Sequence, residues 1–196
     1  MARRKRRTSE GMRTDAIIVA RRLLLEEGPA AITLKAISSE LGVSNDTLLD
    51  QFGSPSGLVA ALAAEMAMRV TIEIGAVAQR FRAGETNQRE VVDHVFDAFD
   101  GEGVGRLLSW ILLSGDGAAL EPVLRRLHEL VTDLAGDDPS LPVAEATAFL
   151  ISTAVGDALI GARIAETLSL RRDSTREIAT NQVIAFYAGA RPPAAG

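Results

Sequence analysis

The chain has 196 residues, 47% of them hydrophobic, which is enough for one or two small domains with an apolar core. It contains no cysteine, so disulfides and thiolate metal sites are excluded, and a reducing cytoplasm is the expected location. The net charge of −5 hides an uneven distribution, because residues 3–7 are all basic whereas the chain beyond Gly57 is net acidic. The positive charge therefore lies at one end of the molecule.

The first segment, residues 2–9, is too charged and too poor in apolar residues to fold alone. One interpretation is a solubilising tail. The other is a basic arm that lies along nucleic-acid phosphates or enters a minor groove, with a strongly salt-dependent contribution. The choice between them depends on the kind of domain to which this segment is attached.

Residues 14–27 are predicted to form the first helix, with Ile17, Ala20 and Leu24 as its inner stripe and Gly28-Pro29 as its end. No apolar signal-peptide core follows the basic residues.

Residues 33–52 carry the most informative pattern in the chain. Leu34, Ile37 and Leu41 recur at helical spacing after a Thr33 N-cap. Gly42 then suits the left-handed conformation at a helix end, and Ser44 provides a second N-cap. Helix, glycine turn and capped helix together predict a helix-turn-helix, whose second helix reads the DNA major groove.

Residues 14–58, roughly a quarter of the chain, resemble the DNA-binding domain of the TetR (tetracycline-repressor) family of transcriptional regulators. The matching positions are Ile17, Ala20, Leu24, Gly28, Thr33, Ile37, Gly42, Val43, Ser44, Thr47, Leu48, Phe52, Ser54 and Leu58. The resemblance implies an all-α fold, with an N-terminal three-helix DNA-binding domain and a C-terminal helical ligand-binding and dimerisation domain. The boundaries that we predict are residues 1–53 and 54–196.

Four positions depart from the pattern of the family. Leu49 stands where tyrosine is usual and Pro55 where lysine is usual, and both usual residues commonly touch phosphates. Ser38 replaces a usual alanine, and Asp46 stands where glycine is often found. Asp46 suits the dipole at a helix N-terminus, but it faces phosphates unless it accepts a hydrogen bond from a cytosine amino group.

The helix-turn-helix favours the DNA-binding interpretation of the basic arm. We expect phosphate contacts from Thr33, Lys35 and the arm, and base contacts from the polar side chains of the second helix. The predicted DNA-binding residues are Arg3, Arg4, Lys5, Arg6, Arg7, Thr33, Lys35, Ser44, Asn45, Asp46, Thr47 and Gln51.

Ser54-Pro55 opens a long helix that we predict to reach about residue 82 and to act as a rigid rod between the two domains. Further helices are predicted at residues 89–99, 104–114, 120–134, 143–168 and 174–188. In the helix 143–168 a stripe of small residues permits close helix approach, either inside one chain or across a dimer axis. The resemblance implies the second arrangement, a homodimer formed through the last two long helices.

No catalytic motif is present. The histidines His94 and His128 lie 34 positions apart, and no HExxH, Walker-type loop or dinucleotide fingerprint occurs. We predict no enzyme activity, no cofactor and no metal site. Charged residues interrupt the most apolar stretch, residues 143–170, which argues against a membrane span.

The resemblance implies a small-molecule pocket among the middle helices. Candidate lining residues are Met66, Phe81, Phe96, Phe99, Trp110 and Leu113, with His94 and Asp157 as candidate polar anchors. Asp157 lies in an apolar helix and must face water, a partner or a ligand. An apolar lining predicts a hydrophobic or amphipathic effector.

The sequence thus predicts a ligand-responsive regulator, with repression as its expected action. As a homodimer it would bind a pseudo-palindromic operator with half-sites about one helical turn, ~34 Å, apart. The competing interpretation is the same fold with weakened DNA recognition, acting as a small-molecule or protein binding module. Leu49, Pro55 and Asp46 motivate this alternative.

Overall fold

A computed structural model describes residues 9–138 and 140–190 of the chain. For residue 190 it describes the backbone alone. Within these residues the protein is all-α, as the sequence predicts. Its helices are α1 Ser9–Glu26, α2 Leu34–Leu41, α3 Asn45–Phe52, α4 Pro55–Arg82, α5 Gln88–Asp100, α6 Val104–Leu113, α7 Glu121–Ala135, α8 Val143–Thr167 and α9 Ser174–Ala190. Short 3₁₀ turns occur at Pro29–Ala31 and Gly117–Leu120.

Helices α1 to α3 form the N-terminal domain, and their ends follow from local hydrogen bonds. The Thr33 hydroxyl accepts from the Ala36 amide and the Ser44 hydroxyl from the Thr47 amide, so both predicted N-caps are confirmed. Gly42 ends α2 at φ 66°, a conformation that favours glycine. Ile37 and Leu48 are fully buried between the helices. The predicted helix-turn-helix is therefore formed.

Helix α1 begins at Ser9, five residues before the predicted start. The extra turn is held by contacts to α3: the Ser9 hydroxyl donates to Gln51 Oε1 (2.8 Å), and Arg13 donates to the Gln51 carbonyl (3.0 Å). Thr14, the predicted start, bonds back to the Glu10 carbonyl in the manner of a helix interior. The sequence did not predict this earlier start because the residues that stabilise it lie about 40 positions away along the chain.

Helix α4 joins the two domains, with its predicted bounds confirmed. Ser54 caps it through the Gly57 amide, and Pro55 occupies its first position. A Cβ at Gly57 would lie 2.0 Å from the Phe52 carbonyl oxygen, so only glycine allows α4 to start this close to α3. The helix packs first against α1 and α3, and then against α5 and α7.

The C-terminal domain is built around α5, which packs against α4, α8 and α9. Its apolar face, including the almost fully buried Phe96, points inward. Arg176 of α9 crosses this helix, with its guanidinium 5.3 Å from the Phe96 ring centre and 2.7 Å from an Asp97 carboxylate oxygen. Charged and apolar contacts therefore hold α9 against the same helix.

The loop between α5 and α6 contacts the N-terminal domain. The Glu102 carboxylate pairs with Arg21 of α1 (3.5 Å) and with Arg69 of α4. A Cβ on the next residue, Gly103 at φ 77°, would lie 3.2 Å from Leu25 and 3.4 Å from Leu24. This close contact places the start of α6 directly against the N-terminal domain.

Helix α8 contains a π-helical segment, Asp157–Gly161, that the sequence did not predict. The Asp157 side chain is 2% exposed and accepts a 2.7 Å bond from Arg172, which follows the helix. A Cβ on Gly161 would lie 2.2 Å from Asp157 Oδ1. The Asp157 carboxylate therefore lies against Gly161, within the wide turn of the π-helical segment.

The predicted small-residue stripe of α8 packs inside the chain. Ala154 and Ala165 are buried, and Ala158 faces Gly105 of α6, where an added Cβ would come within 3.0 Å. The outward face of the same helix is instead large and apolar, with Leu159, Ile160 and other exposed side chains. Ala154, Ala158 and Ala165 thus serve an intramolecular contact, whereas Ala162 is exposed.

By length and composition, Val143–Thr167 is also apolar enough to cross a membrane. Only 28% of its most apolar window is buried within the chain. The apolar surface comes from Leu159, Ile160 and Ile164 on α8 and from Leu168 directly after it, and it continues with Ile178 and Ile184 on α9. We call these six exposed residues the α8–α9 face.

Candidate DNA-binding surface and ligand cavity

The first turn of α3 lies at the surface, with Ser44, Asn45 and Asp46 exposed and Thr47 half-buried. Thr33 and Lys35, at the start of α2, are also exposed. Arg3, Arg4, Lys5, Arg6 and Arg7 lie outside the described residues. The remaining predicted DNA-binding residue, Gln51, is half-buried in the last turn of α3.

Hydrogen bonds fix the polar side chains of this surface. The buried Ser38 hydroxyl donates to Asn45 Oδ1 (2.6 Å), and the Ser44 and Thr47 hydroxyls lie 2.9 Å apart. The side-chain oxygen of Asn45 therefore has a partner, and the NH2 group of this exposed residue is a hydrogen-bond donor. Ser38, where the family pattern has alanine, thus acquires a defined role in joining α2 to α3.

The side chain of Gln51 also has a partner, because its Oε1 accepts a hydrogen bond from the Ser9 hydroxyl. Arg13 lies over the Phe52 ring at 4.8 Å and donates to the Gln51 carbonyl. Arg13 is thus a cation at the edge of α3 that was not among the predicted DNA-binding residues. Its location depends on the packing of α1 against α3, which no local motif encodes.

Helix α3 itself carries Asp46 and Asp50 and no Lys or Arg. Lys35 of α2 and Arg13 of α1 are exposed cations. Attraction to a polyanion must therefore come from residues around α3 rather than from the helix itself. The helix dipole adds a partial positive charge at its N-terminus.

The C-terminal domain contains a cavity of about 600 Å³, bounded by α4 to α9. Its walls are almost entirely aliphatic or aromatic. None of the residues of α7 is buried, and Leu127, Leu130 and Leu134 on its apolar face line the cavity. Helix α7 therefore covers an apolar space that the side chains of the described chain do not fill.

One end of the cavity is polar. Arg82, Gln88 and Tyr187 line it there, and Arg82 is the one charged residue among the lining residues that the structure describes. Burial raises the pKa of the Tyr187 phenol, an effect that the Arg82 cation partly offsets. Tyr187 is therefore neutral and able to donate a hydrogen bond at physiological pH.

Among known proteins, residues 17–62 match the family described as "Bacterial regulatory proteins, tetR family". This match runs from the second half of α1 to the first part of α4 and includes the helix-turn-helix. The N-terminal domain is therefore a DNA-binding domain of the TetR family.

The fold outside that segment also has solved counterparts. A crystal structure entitled "multidrug binding protein EbrR complexed with imidazole" aligns with a TM-score of 0.62 at 20% identity, over 93% of this chain and 92% of that chain. This similarity shows the fold alone. No curated protein sequence matches the chain significantly.

The family that residues 17–62 match is not a family of enzymes, in agreement with the prediction of no enzyme activity. Across residues 9–138 and 140–190, no group of three or more His, Asp or Glu side chains is placed to hold a metal ion.

Of the eight predicted ligand-binding residues, Met66, Phe81 and Phe99 line the cavity. The structure places the other five elsewhere. Phe96 belongs to the solid core, Trp110 packs half-buried against it, and Leu113 is 89% exposed. His94 is exposed on α5, with Nδ1 at 2.9 Å from the Glu90 carbonyl.

Asp157 also lies away from the cavity lining. The sequence left water, a partner or a ligand as its alternatives, and the structure provides Arg172 of the same chain as its partner. Sequence reasoning also missed Arg82, Gln88 and Tyr187. Arg82 lies on the same face of α4 as Ala78, and this spacing was the signal that the sequence offered. The approach of α9 to this face could not be predicted from the sequence.

Proposed function

We propose that this protein is a ligand-responsive repressor that binds a pseudo-palindromic operator as a homodimer. The observation that carries the proposal is the path of α4. This helix begins against α3 at Gly57 and then lines the effector cavity as far as Arg82. One rigid element therefore connects the DNA-reading domain with the ligand space. An intracellular location follows from this function.

The α8–α9 face supports the dimer. A monomer would leave Leu159, Ile160, Ile164, Leu168, Ile178 and Ile184 in water, an unfavourable arrangement for a soluble regulator. Pairing of the last two long helices with their copies across a two-fold axis covers this face. It also accounts for the membrane-like composition of α8 without a bilayer.

The dimer sets the DNA target. Two copies of α3 related by a two-fold axis would enter successive major grooves, so we expect half-sites ~34 Å apart or a multiple of that distance. Lys35 and Thr33 would contact phosphates, while Asn45 would offer its free amide group to a base edge. Asp46 would accept from a cytosine or repel phosphates.

Ligand binding would be transmitted through two contacts. A ligand in the cavity touches α4 and α6, since Leu107 and Leu108 also line it. The start of α6 adjoins α1 through Gly103, and Glu102 pairs with Arg21. A change in α4 or α6 would therefore alter the spacing of the two DNA-reading domains. Effector and operator would weaken each other's binding by the same factor.

The test is selection of duplexes from a random or genomic pool by the purified full-length protein at near-physiological salt. We expect recovery of a palindromic motif whose half-site spacing fits one dimer. Failure to recover any motif from a folded dimer would refute the operator proposal. Transcription from a recovered operator, with and without the protein, then distinguishes repression from activation.

A second function has one specific observation in its favour, the acidic and cation-free α3. Such a helix suits a binding module that has kept the fold but lost most sequence-specific DNA recognition. In that case binding to cognate-like and scrambled duplexes would be equally weak, with the same salt dependence. The selection experiment separates the two functions.

A further inference from the structure

We propose that the cavity holds a single-chain amphiphile with an anionic head group, such as a medium- or long-chain alkyl carboxylate, with the head at Arg82 and Tyr187. This inference rests on the proposed function, in which the cavity takes the effector. It adds the charge and the shape of the ligand.

The length of the cavity supports an extended ligand. The lining residues on α4 run from Ala63 to Arg82, which corresponds to about 28 Å of helix at ~1.5 Å per residue. A cavity of about 600 Å³ that follows the helix over this length has room for an extended hydrocarbon chain.

The apolar walls suit the tail of such a ligand. Val70, Ile74, Leu127 and Leu150 lie along the length of the cavity and offer no hydrogen-bonding group. Each methylene buried there should strengthen binding about fourfold until the cavity is filled. Affinity should consequently rise with chain length and then reach a plateau.

The charge pattern determines the head group. No Asp or Glu is among the described residues that line the cavity, and Arg82 is the one charged residue there. Within the described part of the chain, the structure shows no ion pair to the Arg82 guanidinium, although Arg80, on the same helix, pairs with Glu90 at 2.8 Å. An anionic head group would supply the missing counterion, and the Tyr187 phenol would donate a second hydrogen bond.

The exposure of Arg82 keeps the desolvation free energy of this arrangement low. Arg82 is exposed, so a carboxylate beside it stays partly hydrated while the tail is buried. A cationic amphiphile would meet Arg82 as a like charge and find no carboxylate elsewhere among the described lining residues. The same cavity should therefore prefer anionic over neutral chains and neutral over cationic ones.

The experiment is calorimetric titration of the purified full-length protein, without DNA, with three probes of equal chain length below their critical micelle concentrations. The probes are dodecanoate, dodecanol and dodecyltrimethylammonium. We expect dodecanoate to bind at least tenfold more tightly than the cation, and Arg82→Gln to weaken dodecanoate about tenfold while changing dodecanol less than twofold. Tyr187→Phe should weaken dodecanoate by a smaller factor.

Arg80→Gln is the matched control, since Arg80 lies on α4 but not in the lining. It should leave dodecanoate binding within twofold of the parent. Equal binding of the three probes, no binding of any, or dodecanoate binding that is insensitive to Arg82→Gln would overturn the inference. DNA affinity is then measured separately, with and without dodecanoate. Dodecanoate binding that depends on Arg82 but leaves DNA affinity unchanged would support the inference and refute the effector role in the proposed function.

Discussion

Removing Arg172 from its ion pair with Asp157 should cost much more stability than removing the charge of Asp157. The Asp157 side chain is 2% exposed, whereas the Arg172 side chain is 45% exposed. Arg172→Gln therefore strands a carboxylate in the interior, while Asp157→Asn releases an arginine that water can solvate. The burial of Asp157, not the attraction between the charges, decides the cost.

We expect Arg172→Gln to lower the free energy of unfolding by about 3 kcal/mol. This is the lower end of the ~3–5 kcal/mol range for breaking a buried pair, because water can reach the vacated guanidinium position. Asp157→Asn should cost only ~1 kcal/mol, since a neutral amide can still accept from Arg172. The double variant should resemble Asp157→Asn, which implies a coupling of about 2–3 kcal/mol.

The assay is urea unfolding followed by far-UV circular dichroism, with the protomer concentration held constant because the protein is a proposed dimer. Arg171→Gln is the control: Arg171 is 71% exposed and pairs only with the partly exposed Asp173 and Glu177 among the described residues, so its loss should change stability by less than about 0.5 kcal/mol. Equal and additive costs for the two single variants would refute the reasoning.

Three further predictions concern other parts of the molecule. Asp46→Asn should increase affinity for non-specific duplex several-fold in a filter-binding or anisotropy assay, because it removes a negative charge near phosphates; a decrease confined to one operator sequence would instead mark Asp46 as a cytosine contact. Ile164→Glu should convert the dimer to a monomer by light scattering, whereas Leu113→Glu, an exposed leucine outside the α8–α9 face, should not; a dimeric Ile164→Glu protein would exclude this interface. Burial raises the pKa of Asp93, but hydrogen bonds from Arg89 and Arg176 outweigh it and hold the pKa below its ordinary value. Stability should therefore be present above the ordinary carboxyl range and decline as pH falls below about 4, and Arg176→Gln should make this decline shallower in urea unfolding at a series of pH values; an unchanged pH dependence would contradict it.

The sequence by itself determined the helix-turn-helix. The hydroxyls of Thr33 and Ser44 and the backbone freedom of Gly42 act within three or four residues of their partners, so their spacing in the sequence is also their geometry. The same is true of the start of α4 at Ser54-Pro55. These local interactions, together with helical apolar periodicity, made the fold class and the helix order predictable.

Only the tertiary structure decided which residues share a site. The start of α1 depends on Gln51, the pairing of Asp157 depends on Arg172 beyond the end of α8, and the polar end of the cavity joins Arg82 of α4 to Tyr187 of α9. Apolar periodicity identifies an inward face, but it does not distinguish a face that packs solidly from one that borders an empty space. Phe96 and Phe99 are close neighbours on α5, yet only Phe99 lines the cavity, because that distinction depends on how the surrounding helices pack.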